Sequence, residues 1–266
     1  MFNEWVTKVA DFFKSTNIVL SIIVAIVIIA GFVLFVVMTS QKKWRVSAIA
    51  EIGIACALSL ILGYFPIFRM PEGGTISLAM VPVVMVAMRN GVVAGVVTGV
   101  LSGLLQYFPD PFFFSVPQFL LDYAFAWGLL GLAGLANENY NPKLGKIIVL
   151  ILISGVVGFG VFGVITQGAQ WDIFVALSIM LLFLIPGFAL NAKGPKGFIA
   201  ALSVAVFGRF MMHFLSGYLY FLQFAWPGYT PIGYVSLYIA SHLFFEAIIC
   251  VIAVVALQKF IVKNEG

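Results

Sequence analysis

The sequence predicts an all-α integral membrane protein, and three observations support this fold class. Of the 266 residues, 63 % are hydrophobic and only 9 % are charged, with a mean hydropathy of +1.14. The apolar residues fall into about nine long runs, most of them near the roughly 20 residues that a helix needs to cross a bilayer. Lys and Arg are concentrated in every second connection between these runs. The chain is therefore expected to be a multi-pass protein of the cell membrane, surrounded by lipid.

The apolar runs define the expected helices in order. The third is short, and Asn90-Gly91 turns it directly into the fourth. Residues 18–38, in the first run, are too many for a signal-peptide core and lack a small-residue cleavage site, so this helix is expected to be retained. The expected helices span residues 17–39, 45–65, 75–89, 91–108, 117–137, 146–166, 172–190, 197–225 and 231–258.

The basic residues predict the orientation. Lys or Arg follows the first, third, fifth, seventh and ninth runs, whereas the intervening connections contain only Arg69. Because Lys and Arg are enriched in cytoplasmic loops, this alternation predicts an external N-terminus and a cytoplasmic C-terminus. Trp171 and Trp226 then fall at the outer interface, where tryptophan is common. The net charge of +4 is explained by topology and gives no indication of nucleic-acid binding.

Small residues on two runs predict close helix packing. Gly91, Gly95, Gly99 and Gly103 recur every fourth residue, so they form a strip that lets another helix approach. Packing within the chain and docking of another protein both fit this strip. Gly53 and Ala57 form a weaker pair on the second run, to which the same two interpretations apply.

Ionisable side chains inside apolar runs mark the candidate site. Asp122, Arg209, His213 and Glu246 each lie well inside a run, where a charge costs at least ~2.5–3.5 kcal/mol and usually faces a partner, a cavity or a substrate. Arg209 and His213, four residues apart, share a helix face. With Asp122 they could line one outward-facing pocket, in which Asp122 would suit a cation. A structural Asp122–Arg209 ion pair is the alternative, and Glu246 is expected to be a buried structural carboxylate.

The sequence lacks the motifs of common catalytic classes. It has no Gly-x-x-x-x-Gly-Lys-Ser/Thr loop, no His-Glu-x-x-His and no Cys/His cluster of metal spacing. Cys56 and Cys250 lie in separate runs and are expected to be packing residues. We therefore expect no enzymatic activity, no cofactor and no metal. A membrane enzyme acting on lipid or prenyl groups would need clustered cytoplasmic carboxylates or a nucleophile, which the sequence does not show.

Four stretches carry a resemblance to a known family. The first reads PEGGTISLAMVP from residue 71 and continues as AMRNG, the second reads VPQFLLDY from residue 116, and the third reads GRFMMHFLSG from residue 208. The fourth, looser stretch spans residues 231–246 and contains Tyr234 and Tyr238. With their helices, these stretches cover roughly two-thirds of the chain. They resemble the thiamine-specific substrate-binding (S) component of energy-coupling factor (ECF) transporters, the YuaJ/ThiT family.

The resemblance implies a six-helix core with an outward-facing vitamin pocket, to which this chain adds three helices. Residues 1–44 would hold an extra helix, 45–137 the first four core helices, 138–196 an inserted two-helix hairpin, and 197–266 the last two core helices. The implied partners are an ECF transmembrane coupling subunit and two ABC-type ATPases. The small residues Gly53 and Ala57 would dock the coupling subunit.

The resemblance also implies the residues of the vitamin pocket, with two departures from the family pattern. Phe221 stands where a stacking Trp is often found, and Ile239 stands where a polar Asn is found. Phe221 can still stack, but Ile239 cannot form a hydrogen bond, which leaves the exact ligand open. The implied ligand contacts are Asp122, Tyr123, Gln118, His213, Arg209, Tyr234, Phe221, Tyr64 and Glu72.

The predicted function is high-affinity capture of a vitamin, thiamine or a related compound, as a subunit that catalyses no reaction. The alternative is a stand-alone proton-coupled secondary transporter for a related cationic vitamin or precursor, with Glu246 or Asp122 as the proton carrier. Uptake that persists without an ATPase partner and collapses with the proton gradient would favour the alternative.

Overall fold

The computed structural model describes residues 44–71, 73–109, 111–136, 142–168, 170–190 and 194–261. Within these ranges the chain forms eight main helices, one two-stranded hairpin and two short 3₁₀ segments, Ile185–Ala189 and Leu222–Phe224. The expected helix at 17–39 lies outside the described residues. The helices are α1 Val46–Tyr64, α2 Met80–Asn90, α3 Val92–Leu105, α4 Val116–Ala136, α5 Pro142–Gln167, α6 Trp171–Leu184, α7 Pro195–Tyr220 and α8 Pro231–Ile261; the strands are β1 Phe68–Arg69 and β2 Thr75–Ile76.

The helices follow the predicted apolar runs closely, with one correction at residues 75–79. The run expected at 75–89 begins with strand β2, which pairs antiparallel with β1, and helix α2 starts only at Met80. Gly73 and Gly74 lie between the strands with φ values of 96° and 86°, a conformation that other residues rarely adopt. The turn reverses the chain, and Thr75 and Ile76 stay extended because they pair with β1, so the helix begins only after them.

Four described helices are long and apolar enough to cross a membrane: α1, α4, α7 and the first part of α8, Pro231–Leu257. They have between 19 and 27 residues, which at ~1.5 Å per residue corresponds to the ~30 Å hydrocarbon core. Helices α2 and α3 are shorter, and they meet at Gly91. The protein is a multi-pass membrane protein.

Helix α4 changes its winding where the candidate site begins. It starts at the N-cap Ser115, whose hydroxyl accepts a hydrogen bond from the Gln118 backbone N–H at 3.3 Å. Its next turn, Leu120–Phe125, is π-helical, and the last part, Leu129–Ala136, is a 3₁₀ helix. Such π-helical turns are rare and often occur at functional sites. This one contains Asp122 and Tyr123.

The glycine strip on α3 packs within the chain, as one of the two interpretations predicted. A Cβ atom at Gly95 would collide with Ala87 of α2, and one at Gly99 or Gly103 would collide with the backbone of α4. Gly91 is the exception, because it has a φ of 88° and open space around it. Gly91 is therefore a turn residue, and the strip consists of the other three glycines.

The buried core is centred on α7, whose Phe207, Phe210 and Phe214 are almost fully buried. Cys56 and Cys250 are buried and free, which confirms that they are packing residues. The pair α5–α6 is attached to α8 through Asp172, a fully buried residue at the start of α6. Asp172 Oδ2 accepts hydrogen bonds from Thr230, at 2.6 Å from the backbone N and 2.7 Å from Oγ1.

Candidate ligand-binding site

A cavity of about 540 Å³ lies between α4, α7 and α8, a volume typical of small-molecule sites. The β1–β2 turn and the connection from α3 to α4 complete its wall. Most of the lining is apolar or aromatic, with a few polar groups directed inward. The lining residues are Gly63, Pro71, Gly73, Gly74, Thr75, Gln106, Pro109, Pro111, Phe112, Gln118, Asp122, Tyr123, Trp127, Arg209, His213, Gly217, Phe221, Phe224, Tyr234, Val235, Tyr238, Ile239 and His242.

The Asp122 carboxylate is held by three side chains from two helices. Its Oδ1 lies 3.0 Å from His213 Nδ1. Its Oδ2 accepts hydrogen bonds from Gln118 Nε2 and Ser216 Oγ, both at 2.7 Å. Gln118 is four residues before Asp122 on α4, whereas His213 and Ser216 belong to α7. The carboxylate is therefore fixed in position, and its side chain is 16 % exposed to the cavity.

Arg209 pairs with Glu246, so the alternative of an Asp122–Arg209 ion pair is wrong. The Arg209 Nη1 atom lies 3.0 Å from Glu246 Oε2, and both side chains are buried. The Arg209 guanidinium also lies over the Trp127 ring, 4.6 Å from its centroid, a favourable cation–π geometry. His213 lies between the two acidic groups. Its Nδ1 faces Asp122, and its Nε2 accepts a hydrogen bond from Arg209 Nε at 3.3 Å.

These contacts define the tautomer of His213. Arg209 Nε can only donate, so His213 Nε2 accepts that hydrogen bond. The proton of a neutral imidazole then lies on Nδ1, where it is donated to Asp122 Oδ1. This arrangement of hydrogen bonds corresponds to the neutral Nδ1–H tautomer of His213.

Glu246 connects the hairpin to the buried ion pair. Its Oε1 accepts hydrogen bonds from the Ser77 backbone N–H at 3.1 Å and from Ser77 Oγ at 3.2 Å, while Oε2 receives Arg209. Both carboxylate oxygens therefore act as acceptors, which fits an ionised group balancing the Arg209 charge. Glu246 is a buried structural carboxylate, as expected from the sequence.

Aromatic rings form the two sides of the cavity. On the α8 side, Tyr234 and Tyr238 lie beside Trp226, and Tyr238 Oη donates to the Gly73 carbonyl oxygen at 2.6 Å. On the opposite side, the Phe221 ring is 5.4 Å from Phe112, centroid to centroid. The walls can therefore stack against a flat or cationic ring.

The structure brings seven of the nine predicted contact residues to this cavity. Tyr64 is not among them, because it is half-exposed at the end of α1, and Glu72 lies outside the described residues. Gly53 and Ala57 lie on the exposed face of α1. The seven that line the cavity are Gln118, Asp122, Tyr123, Arg209, His213, Phe221 and Tyr234.

Sequence reasoning missed Trp127 and His242 as cavity residues, and it noted Tyr238 without assigning it a role. A signal for His242 was present, because it is one of only two histidines and lies four residues before Glu246. That spacing places both on the same face of α8. Trp127 gave no polar signal, since a tryptophan in an apolar helix is ordinarily a packing residue.

Fold and cavity together define a class: multi-pass helical membrane proteins that enclose a small-molecule site. The family model described as thiamine transporter protein (Thia_YuaJ) matches residues 49–265. The chain belongs to this family.

Two individual proteins are similar to this chain. The thiamine transporter ThiT of Bacillus subtilis (strain 168) is 30 % identical over 178 residues, which are 58 % of this chain and 90 % of that protein. A solved structure of ThiT from Listeria monocytogenes aligns with a TM-score of 0.54 and 17 % identity, covering 81 % of this chain and 95 % of that one. The second likeness concerns the fold alone. The Bacillus protein is named as a transporter and not as an enzyme.

Proposed function

We propose that this protein is the thiamine-binding S component of an ECF uptake transporter. The observation that carries the proposal is the Asp122 carboxylate, which three protein donors hold at the cavity wall. Membership of the thiamine transporter family supports thiamine as the ligand.

The charges around the cavity favour a cationic ligand. Arg209 and Glu246 balance each other, and His213 is neutral when it donates to Asp122. One negative charge, on Asp122, then remains without a counterion among the described residues that line the cavity. Thiamine carries a quaternary thiazolium ring, whose positive charge would complement Asp122. Charge-assisted contacts of this kind are worth roughly 1.5–3 kcal/mol.

The shape of the site favours a ligand with aromatic rings. Thiamine contains a thiazolium and a pyrimidine ring, and both can stack on the rings of Phe221, Tyr234 or Tyr238. The walls also supply Gln118 and Tyr123 beside Asp122. In this proposal these groups orient the vitamin, and no bond is made or broken.

The cavity is proposed to open to the outside. Its wall includes residues of the β1–β2 turn and of the α3–α4 connection, which are connections that contain few basic residues. The basic connections would lie in the cytoplasm, with the N-terminus outside and the C-terminus inside. Ligand would then be captured from the external medium.

Energy for import would come from partners: a transmembrane coupling subunit and two ABC-type ATPases. The proposed docking face is the exposed side of α1 around Gly53 and Ala57. A Cβ at Gly53 would have nothing within 4 Å, so this face is open to another helix.

The alternative of a proton-coupled transporter is less well supported by the site. Glu246 accepts three hydrogen bonds and is held by Arg209, so releasing or taking up a proton would break this network. Thiamine uptake that collapses with the proton gradient and persists without an ATPase partner would nevertheless favour the alternative.

The first experiment is a calorimetric titration of the purified, detergent-solubilised protein with thiamine, using pantothenate and riboflavin as controls. Tight one-to-one thiamine binding without partner or ATP would support the proposal. A well-folded sample that does not bind thiamine would contradict it, and other cationic vitamins and precursors would then be screened.

A further inference from the structure

His242 is a second histidine in the cavity wall and has no role in the Asp122 network. Its side chain lies on α8, and the residue is only 6 % exposed. Its ring makes edge contacts with His213 and Tyr238, at centroid distances of 6.3 and 6.2 Å. Gly74 of the hairpin lies against the ring, since a Cβ built there would be 3.5 Å from Cε1. His242 thus lies between the hairpin and the α7 side of the cavity.

The hydrogen bonds of His242 leave one ring nitrogen as an acceptor. Its Nδ1 lies 3.3 Å from the Tyr238 carbonyl oxygen, and a carbonyl can only accept, so Nδ1 carries the proton. In the neutral ring Nε2 then presents a lone pair. Among the described residues, no side chain or backbone group donates to this atom. His213 differs, because both of its nitrogens are occupied by Arg209 and Asp122.

The surroundings of His242 favour the neutral ring. Within the described ranges no carboxylate forms an ion pair with it, and the nearby Arg209 already carries a positive charge. A protonated, buried His242 would be an uncompensated charge. It would also repel a cationic ligand, whereas a neutral ring can accept a hydrogen bond from one.

Among the described α8 residues that line the cavity, His242 is the one that presents a nitrogen lone pair. Val235 and Ile239 line the cavity but carry no polar group. The hydroxyls of Tyr234 and Tyr238 differ in that they also carry a proton, which Tyr238 donates to the Gly73 carbonyl oxygen at 2.6 Å. An acceptor that faces a ligand cavity without a protein donor is available to a donor group on the ligand.

We propose that His242 is a specificity residue whose Nε2 accepts a hydrogen bond from an N–H or O–H group of the bound ligand. The inference rests on the proposed function, because it adds a contact to the same site. Thiamine offers two such donors, the amino group of its pyrimidine and its terminal hydroxyl. A site with a buried acceptor should discriminate strongly against an analogue that lacks the matching donor.

The test compares His242→Phe with the wild type in calorimetric titrations. Three ligands are used: thiamine, an analogue whose amino group is replaced by hydrogen, and an analogue that lacks the hydroxyl. We expect His242→Phe to bind thiamine at least about tenfold more weakly, the loss of one hydrogen bond to a buried group. We also expect one of the two analogues to bind the variant as tightly as it binds the wild type, because that analogue lacks the donor group that His242 recognises.

Ser241→Ala is the matched control. Ser241 Oγ donates to the same Tyr238 carbonyl oxygen at 2.6 Å, but Ser241 does not line the cavity. Its thiamine affinity should stay within about threefold of the wild type. Unchanged thiamine affinity in His242→Phe, or an equal loss for all three ligands, would overturn the inference. A wild type that binds no thiamine would instead contradict the proposed function.

A second measurement does not depend on how the variant folds. The chain has only two histidines, so ¹⁵N-histidine labelling yields a spectrum with few imidazole signals. Each ring contributes two nitrogen resonances, and the two Nε2 resonances differ because Nε2 of His213 already accepts a hydrogen bond from Arg209 Nε. The inference predicts that thiamine shifts the unprotonated Nε2 resonance of His242 toward the protonated value. An Nε2 resonance that does not move when the site is saturated would overturn it.

Discussion

At the scale of single residues, Asp122 differs from the two buried acidic groups Asp172 and Glu246 in being partly exposed in the cavity wall. Glu246 is neutralised by Arg209, and Asp172 is bound to Thr230 away from the cavity. The three carboxylates are thus placed in three different environments. The environment, and not the residue type, separates the candidate ligand contact from the two structural groups.

Asp122→Asn is expected to weaken thiamine binding by at least about tenfold, since a charge-assisted contact is worth roughly 1.5–3 kcal/mol. The amide is close in size to the carboxylate and can still accept from Ser216 or Gln118, so the fold should persist. Calorimetric titration measures the affinity, and thermal unfolding checks the fold. Ser178→Ala, on the exposed side of α6, serves as the control. Unchanged affinity in a folded Asp122→Asn variant would make Asp122 a structural residue.

Glu246→Gln should destabilise the protein by about 3–5 kcal/mol, because it leaves the buried Arg209 charge without its partner. The double variant Arg209→Met/Glu246→Met removes both charges and should recover much of that loss, since an apolar pair can replace a buried ion pair. Thermal unfolding without ligand measures both effects. If the double variant were as unstable as the single one, hydrogen bonding to Ser77 and His213 would matter more than charge balance.

At the scale of elements, the apolar pattern predicted most helices because a spanning segment must satisfy its own backbone and bury apolar side chains along its whole length. The β1–β2 hairpin was missed, since its apolar residues continue into α2 and nothing in their hydropathy separates a short strand from a helix. The turn glycines Gly73 and Gly74 carried the only local signal. The π-helical turn of α4 was also beyond sequence reasoning, because it depends on packing against α3 and α7.

The close contact of α3 with α4 is the element-level feature that a substitution can test. Gly99→Leu should destabilise the protein by roughly 2 kcal/mol or more, because the new side chain would collide with the Trp127 backbone. Gly158→Leu is the matched control: it is also a helical glycine, but it is exposed and a Cβ would have nothing within 4 Å. Thermal unfolding in the same detergent compares the two. Equal stability of both variants would contradict the packing role of the strip.

At the scale of the whole molecule, sequence reasoning identified the members of the site better than their connections. Residues inside apolar runs were recognised because ionisable groups are costly there, and this identified Asp122, Arg209 and His213. Which acid pairs with which base depends on how α4, α7 and α8 approach each other, and no local spacing encodes that. The Arg209–Glu246 pair, separated by 37 residues, therefore emerged only from the structure.

The proposed partnership concerns the surface of the whole molecule, where Gly53 and Ala57 form a patch of small residues on the exposed side of α1. The double variant Gly53→Leu/Ala57→Leu should fold and bind thiamine like the wild type, because neither residue lines the cavity. It should lose association with the coupling subunit, since close approach of another helix requires small residues. Co-purification with the coexpressed coupling subunit and ATPases measures assembly.

The control for this docking face is Gly158→Leu, which adds the same bulk to another exposed helix. Loss of assembly in both variants would indicate a general effect of surface bulk. Normal assembly of the double variant would remove this face of α1 from the docking proposal. Only selective loss, with ligand binding intact, fits a molecule in which capture and coupling use separate surfaces.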